Sequence, residues 1–284
     1  MEPLAVRCDT PDEIEALTGL KKLREQFVRK KKLVLVMWSV AVITIIIIII
    51  SFANAGALVD PPPYTYKYTG LKVFPEGNVC FNPSDPSSYR KYETGLQKFI
   101  QPYHLMKLGG RVINCFERTR QDNEICIIEH TWIYPCGGRN GWGYRDGTPC
   151  FIFYYSNDST FTPTSYKTLS DLPSDIPEKL RENMENEEKE HGSFDPVVYL
   201  YCSYSDPYWD YHPKGFYDFL FPNSEVDGYL PPIASVQFEL PEWRDDGIAD
   251  TENVEYEIEC SLWSKEPHPR EIKKVSFKII VGSC

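Results

Sequence analysis

An uncharged stretch of 21 residues, from Leu33 to Ala53, limits what this 284-residue chain can fold into. As a helix rising about 1.5 Å per residue it is roughly 30 Å long, the thickness of a bilayer's hydrocarbon core. The apolar core of a cleavable signal peptide has only about 7–15 residues and begins closer to the N-terminus. A lone strand is disfavoured because lipid would leave its backbone polar groups without partners. The sequence therefore predicts one transmembrane helix at residues 33–55.

Basic residues lie mostly before this span and predict its orientation. Residues 1–32 hold eight Lys and Arg against six Asp and Glu, so their net charge is +2. The first basic residue after the span is Lys67, beyond Asp60-Pro61-Pro62-Pro63. The positive-inside rule places the N-terminus in the cytosol, which gives a type II protein with the lipid bilayer as one partner. The remaining residues carry a net charge of −13, which does not suit binding to nucleic acid.

The nine cysteines agree with this topology. Cys8 lies on the predicted cytosolic side, where thiols usually stay reduced. The other eight lie on the predicted outer side, and an even number in an oxidising compartment indicates disulfide bonds. Spacing alone cannot choose among the pairings of eight cysteines. Asn157-Asp158-Ser159 is the one usable glycosylation sequon, since a proline blocks Asn82-Pro83-Ser84.

The exterior sequence favours strands with one early helix. Asp85 or Ser84 is a suitable cap, Pro86 suits a first turn, and apolar residues recur at helical spacing, so we expect a helix over about 86–101 that stops at Pro102. Residues 182–190 form a charged helix or loop. Six apolar segments predict strands: Ile125 to Trp132, Cys150 to Tyr155, Val197 to Tyr201, Ile233 to Leu240, Val254 to Leu262 and Val275 to Val281. The pattern suggests a β-sandwich of immunoglobulin type.

The sequence carries no recognisable catalytic motif. Its five histidines do not form a His-Glu-x-x-His pattern, and no Gly-x-Ser-x-Gly elbow or phosphate-binding loop is present. The sequence contains no Cys-x-x-Cys pair, so it gives little support to a zinc or redox site. We therefore expect no enzyme activity, no bound metal and no cofactor.

Five segments, in order along the chain, resemble motifs of the beta subunits of the sodium/potassium-transporting ATPase and its proton/potassium relatives. Each is weak alone, and together they cover nearly the whole chain. They are Gly70-Leu71-Lys72-Val73-Phe74-Pro75, Asp85-Pro86-Ser87-Ser88-Tyr89, Gly143-Tyr144-Arg145-Asp146-Gly147-Thr148-Pro149-Cys150, Tyr229-Leu230-Pro231-Pro232-Ile233-Ala234-Ser235-Val236-Gln237-Phe238 and Ile258-Glu259-Cys260.

This resemblance implies three disulfides, Cys115–Cys126, Cys136–Cys150 and Cys202–Cys260. We hypothesise a fourth between Cys80 and Cys284. The expected fold is mainly β: one N-terminal transmembrane helix, then an extracellular immunoglobulin-like β-sandwich with one helix and three or four disulfides. The expected organisation is a cytosolic tail at 1–32, the span at 33–55, an extended stalk at 56–75 and the sandwich at 76–284.

The resemblance also implies a function. We expect a non-catalytic beta subunit that binds the catalytic alpha subunit of a P-type cation pump and acts in its assembly, its trafficking to the plasma membrane and the tuning of its ion transport. The expected partner-binding residues are Tyr229, Leu230, Val236, Gln237, Phe238, Phe221 and Pro222. For Tyr229 to Phe238, an ordinary core strand is the competing interpretation, because Val236 and Phe238 would point inward in any sandwich.

Two departures and two alternatives stand beside this interpretation. Where the family usually has Tyr-Pro-Tyr-Tyr-Gly, this chain has Phe221-Pro222-Asn223-Ser224, and its span lacks the family's tyrosines. A cell-adhesion or junction protein could use the same exterior without a pump. A type II glycan-processing enzyme shares the topology but ordinarily needs an Asp-x-Asp motif, which is absent here.

Overall fold

A computed structural model describes nine parts of the chain. They are residue 38 and residues 42–45, 70–106, 111–156, 162–203, 209–221, 228–240, 253–265 and 274–284. The chain divides into two compact units, Met1–Pro61 and Pro62–Cys284. In the first unit, Trp38 and residues 42–45 are helical and exposed. The other residues of the predicted span 33–55, together with Asn157 and Pro222, lie outside the described parts.

The second unit is mainly β, which confirms that expectation. Its four-stranded sheet has the order β1-β5-β9-β7 and its five-stranded sheet the order β2-β11-β10-β6-β8, while β3 and β4 form a short pair. The bounds are β1 Gly70–Phe74, β2 Val79–Phe81, β3 Val112–Ile113, β4 Ile125–Cys126, β5 Cys150–Ser156, β6 Val197–Ser203, β7 Trp209–His212, β8 Gly215–Tyr217, β9 Ile233–Phe238, β10 Val254–Trp263 and β11 Lys274–Val281.

Aromatic side chains fill the space between the two large sheets. The rings of Phe151 in β5 and Phe238 in β9 lie 4.8 Å and 6.0 Å from that of Phe277 in β11. All three side chains are buried. Burying an aromatic side chain of this size removes about 150–250 Å² from water, so these rings contribute strongly to holding the sheets face to face.

Helix α1, Pro86–Leu105, begins as the sequence predicts. Asp85 is its N-cap, and its carboxylate accepts a hydrogen bond of 2.9 Å from the Ser87 backbone N–H. The predicted stop at Pro102 is wrong, because the helix continues through it to Leu105. Pro102 removes one backbone donor. The buried Tyr103 holds the last turn in place by donating from its hydroxyl to the Pro231 carbonyl oxygen at 2.9 Å.

Helix α2, Glu178–His191, occupies the charged segment. It packs on the outside of β6 through Leu180 and Met184, in a second apolar cluster that includes Val197. It therefore has a buried face, and one of its carboxylates, Glu187, is also buried.

The other expected strands are confirmed, with one exception. The sequence predicts a single strand from Ile125 to Trp132, but only Ile125–Cys126 forms a strand, and a 3₁₀ turn follows at His130–Ile133. The physical reason is burial: Ile125, Ile128 and Ile133 are buried, and this spacing does not alternate with the period of a strand. β1 pairs with β5 along its whole length, so the sandwich takes in residues 70–74 of the expected stalk.

Four disulfides join the eight cysteines from Cys80 to Cys284 in the pairs expected from the sequence. They are Cys80–Cys284, Cys115–Cys126, Cys136–Cys150 and Cys202–Cys260. The last joins directly opposed residues of β6 and β10, within one sheet. Immunoglobulin domains carry their disulfide between sheets and have antiparallel sheets, whereas β2 and β11 here run parallel. The sandwich therefore differs from the immunoglobulin type that the sequence suggests.

Among the described residues, no helix has the length and apolar character needed to cross a bilayer.

Candidate partner-binding surface

Helix α1 brings together four of the five sequence motifs. Phe99 stacks on Phe74 of the first motif at 5.0 Å between ring centroids. Tyr89, within the helix-start motif, stacks on Tyr144 at 6.0 Å. Tyr103 bonds Pro231 of the Tyr229–Phe238 segment. The motifs therefore build the packing around one helix, which explains why they can be recognised together while each is short.

Tyr144 lies at the centre of this packing. Its ring is fully buried, stacks on Tyr92 at 5.6 Å and meets Phe81 edge-on at 5.1 Å. Its hydroxyl has no hydrogen-bond partner in the described structure. Burial raises the pKa of this hydroxyl well above its ordinary value, so it stays neutral. The motif residue Tyr144 is therefore a packing residue.

Most of the expected partner-binding residues are buried. Leu230, Val236, Phe238 and Phe221 belong to the main core. Tyr229 is half-buried, and its hydroxyl donates to the Leu220 carbonyl oxygen at 3.4 Å. In this arrangement their side chains shape the domain from within, as the core-strand interpretation describes. A role in binding a partner stays a prediction for them.

Gln237 is half-exposed and joins two motifs. Its side-chain amide donates to the Thr148 carbonyl oxygen at 3.2 Å and to the Thr148 hydroxyl at 3.0 Å. Thr148 is also held by Gly143, whose carbonyl oxygen accepts a hydrogen bond from the Thr148 backbone N–H at 2.9 Å. Gln237 thus fixes the turn that precedes β5.

A different set of residues forms an aromatic cluster that reaches the surface. Phe116 is 54% exposed and lies edge-on to three other rings, at 4.8–5.6 Å between centroids. We call this set the aromatic patch; its members are Phe116, Trp132, Tyr217 and Phe219. Tyr217 and Phe219 also stack on each other at 5.2 Å.

Three separate segments bring these rings together. The Cys115–Cys126 bond closes the loop that holds Phe116, and the 3₁₀ turn His130–Ile133 presents Trp132. β8 and the turn after it present Tyr217 and Phe219. An ion pair between Arg118 and Glu124 braces the same loop and lowers the pKa of Glu124 to about 2. The disulfide therefore holds an exposed aromatic side chain, besides stabilising the domain.

The amino-acid sequence alone does not reveal the aromatic patch. Its members lie outside the quoted motifs, and they come from positions up to 103 residues apart in sequence. Aromatic residues beside a short disulfide loop were the available signal, but such residues are usually buried. Exposure at Phe116, which only the fold reveals, separates this surface from the core.

Comparison with known proteins identifies the family. The sequence model described as "Sodium / potassium ATPase beta chain" matches residues 36–278. This chain belongs to the sodium/potassium ATPase beta chain family. The family is that of the non-catalytic accessory subunit of the pump.

Individual members of the sodium/potassium ATPase beta chain family are distant relatives. The chain is 21% identical over 220 residues to sodium/potassium-transporting ATPase subunit beta-2 of Drosophila melanogaster, covering 72% of this chain and 65% of that protein. It is 24% identical over 216 residues to subunit beta-233 of Anguilla anguilla, covering 67% and 65%. The chain thus spans just under two thirds of the length of these two relatives. Subunit beta-1 of Tetronarce californica is 21% identical over 231 residues, covering 72% and 68%.

Proposed function

We propose that this chain is the non-catalytic beta subunit of a P-type sodium/potassium-exchanging ATPase. It binds the catalytic alpha subunit, acts in its assembly and its trafficking to the plasma membrane, and tunes its ion transport. The observation that carries the proposal is the family match, which extends from residue 36 to residue 278. The packing of four motifs around α1 supports it, because the features shared with the family belong to one structural unit.

The proposed topology is a cytosolic tail at 1–32, a helix spanning the membrane at 33–55, a stalk at 56–69 and an extracellular disulfide-bonded sandwich that begins with β1 at Gly70. The basic residues before the span support this orientation. The pairing of eight cysteines suits an oxidising compartment outside the cell. The family match begins inside the apolar run, which suits a span within the family's common region. We propose Asn157 as the glycosylated residue.

A non-catalytic subunit can tune ion transport by binding alone, without taking part in the reaction. A pump alternates between conformations, and a subunit that binds some of them more tightly shifts their populations by the difference in its binding free energy. A rigid exterior domain is suited to this role because its surface does not adapt equally to every conformation. Four disulfides and a closely packed aromatic core supply that rigidity.

We place part of the alpha-subunit contact at the aromatic patch. Exposed aromatic side chains that are already ordered by their neighbours are typical of binding hot spots, because little conformational entropy is lost on binding. The patch is also joined to the segment expected to contact the pump. Phe219 and Leu220 are adjacent, and Leu220 accepts the hydrogen bond from Tyr229.

Depletion of the chain in its native cells tests this function. We expect the amount of P-type ATPase alpha subunit at the cell surface, measured by surface biotinylation, to fall and to be restored by the wild-type chain. Restoration by Leu105→Ala, which changes an exposed apolar residue outside the patch, is the matched control. An unchanged surface level, together with a loss of cell–cell contact, would favour the adhesion alternative instead.

A further inference from the structure

The Cys80–Cys284 bond differs from the other three disulfides in its exposure. The other bonds each have at least one buried cysteine; these are Cys126, Cys136, Cys150, Cys202 and Cys260. Cys80 is half-buried and Cys284 is exposed. Of the four bonds, this is the one in which neither cysteine is buried.

Exposure matters because disulfides break by direct attack. A thiolate must approach one sulfur along the S–S axis, so a buried bond opens only when the surrounding structure opens. Cys284 lies three residues beyond the end of β11 at Val281. The last described strand hydrogen bond near it runs from the Gly282 N–H to the Phe81 carbonyl oxygen at 3.0 Å. A thiolate in solution can therefore approach Cys284 without separating any pair of strands.

The strand that holds Cys80 does not depend on the bond for its position. β2 pairs with β11 through three residues, and the side chains of Val79 and Phe81 are completely buried. The Cys80 N–H donates to the Tyr92 hydroxyl of α1 at 3.2 Å. Just before the strand, Asn78 accepts from the Lys278 N–H at 3.1 Å. Opening the bond therefore releases the segment after Gly282 and leaves β2 in the sheet.

We propose that Cys80–Cys284 is a thiol-exchange site at which small extracellular thiols of the glutathione class modify the folded protein. The thiolate attacks Cys284 Sγ, a new sulfur–sulfur bond forms between the two, and Cys80 leaves as a thiolate that takes up a proton. A second thiol then attacks the mixed disulfide and releases the oxidised small molecule and a Cys284 thiol. Two electrons pass from two thiols to one disulfide, so the exchange balances.

The inference goes beyond the proposed pump function and does not depend on it. It requires only that solution thiols reach this bond, whichever partner the chain has. The three better-buried bonds keep the domain folded while this one is exchanged. The site thus permits reversible covalent modification of an exposed segment without unfolding.

The test uses the full-length chain in mild detergent. Cys8 and any other free thiol are first blocked with N-ethylmaleimide, and the protein is then incubated with glutathione. New thiols and glutathione adducts are identified at each cysteine by mass spectrometry, while near-ultraviolet circular dichroism follows the fold. We expect Cys80 and Cys284 to open at least about tenfold faster than the other six cysteines, with an unchanged spectrum and with glutathione first on Cys284.

Paired variants make the assignment specific. Cys80→Ser with Cys284→Ser should abolish the fast phase, whereas Cys115→Ser with Cys126→Ser should leave it in place. If either double variant fails to fold, the cysteines identified by mass spectrometry in the wild-type chain are sufficient to show which bond opens first. The proposal is overturned if another bond opens as fast, or if the spectrum is lost at the rate at which the Cys80 and Cys284 thiols form.

Discussion

Gln237 in β9 donates two hydrogen bonds to Thr148, one to the carbonyl oxygen and one to the hydroxyl. The two residues lie in separate sequence motifs, 89 positions apart. The contact locks the Gly143–Cys150 turn against the strand that pairs with β5. Residues from two separate motifs are therefore in direct contact in the folded chain.

Replacing Gln237 by alanine removes both donors from Thr148. A net hydrogen bond contributes about 0.5–1.5 kcal/mol, so we expect a loss of roughly 1–2 kcal/mol in the free energy of unfolding. Thermal unfolding of the full-length chain should show a decrease of several degrees. Gln97→Ala, on the exposed side of α1, is the control and should stay within about 0.5 kcal/mol of wild type. Equal stability of the two variants would contradict a structural role for the contact.

A substitution at Gly143 provides a second test of the same turn. It has φ +75°, and a Cβ there would lie 1.9 Å from the Thr148 carbonyl oxygen. Gly143→Ala therefore combines backbone strain with a steric clash, and we expect a loss of about 2–4 kcal/mol.

Gly192, at the C-terminal end of α2, is the matched control for this variant. It has φ +74°, but a Cβ there would meet no atom within 4 Å. Gly192→Ala should show the strain alone, about 1 kcal/mol. The difference between the two denaturation midpoints measures the clash, and similar midpoints would argue against the observed closeness of Gly143 to Thr148.

Buried Glu187 gives the protein an acid-sensitive contact. Burial opposes its ionisation, but the Asp195 N–H at 2.7 Å, the Lys214 ammonium at 2.5 Å and the Tyr199 hydroxyl at 3.0 Å outweigh that cost and lower its pKa. A lowered pKa in the folded state means that this stabilisation is complete above about pH 4.5, the ordinary value. It is lost as the pH falls through the lowered pKa.

Glu187→Gln should therefore reduce stability at pH 7 by about 1–3 kcal/mol. The deficit should shrink as the pH falls below about 4.5, because the unfolded wild-type chain then takes up a proton at Glu187 that the folded state takes up only at lower pH. Glu182→Gln changes an exposed carboxylate of the same helix and should leave the pH profile almost as in wild type. Unfolding by urea between pH 3 and pH 7 provides the comparison, and a deficit that is constant with pH would rule out this account.

The sequence predicts the interior of this protein better than its surface. Alternation in Val254–Trp263 and the cap at Asp85 are local signals, and both elements form where these signals place them. The extension of α1 past Pro102 depends on a bond from Tyr103 to a residue 128 positions away, so no local pattern could predict it. Tertiary packing here outweighs a local stop signal.

The candidate surface was harder to predict for a similar reason. Recognisable motifs led to Val236 and Phe238, whose side chains are buried and therefore face the core. Phe116 is exposed, and the loop closed by Cys115–Cys126 holds it beside Tyr217 and Phe219. Neighbours that come from distant segments cannot be derived from spacing. Exposure of an aromatic side chain is a property of the assembled fold.

The aromatic patch should contribute to partner binding. Removing a central aromatic side chain from a binding hot spot costs about 2 kcal/mol or more, so Phe116→Ala should reduce recovery of the alpha subunit by about tenfold or more. Leu105→Ala is the exposed apolar control. Quantitative recovery of the alpha subunit from detergent-solubilised membranes measures the effect. Full recovery with Phe116→Ala would remove the patch from the contact surface while leaving the family assignment intact.

Co-purification from native membranes tests the central claim most directly. A tagged full-length chain is isolated in mild detergent, and the proteins recovered with it are identified and quantified by mass spectrometry. The account predicts a P-type ATPase alpha subunit in roughly equal molar amount. Recovery of the chain without any P-type ATPase subunit, under conditions in which its four disulfides remain intact, would contradict it.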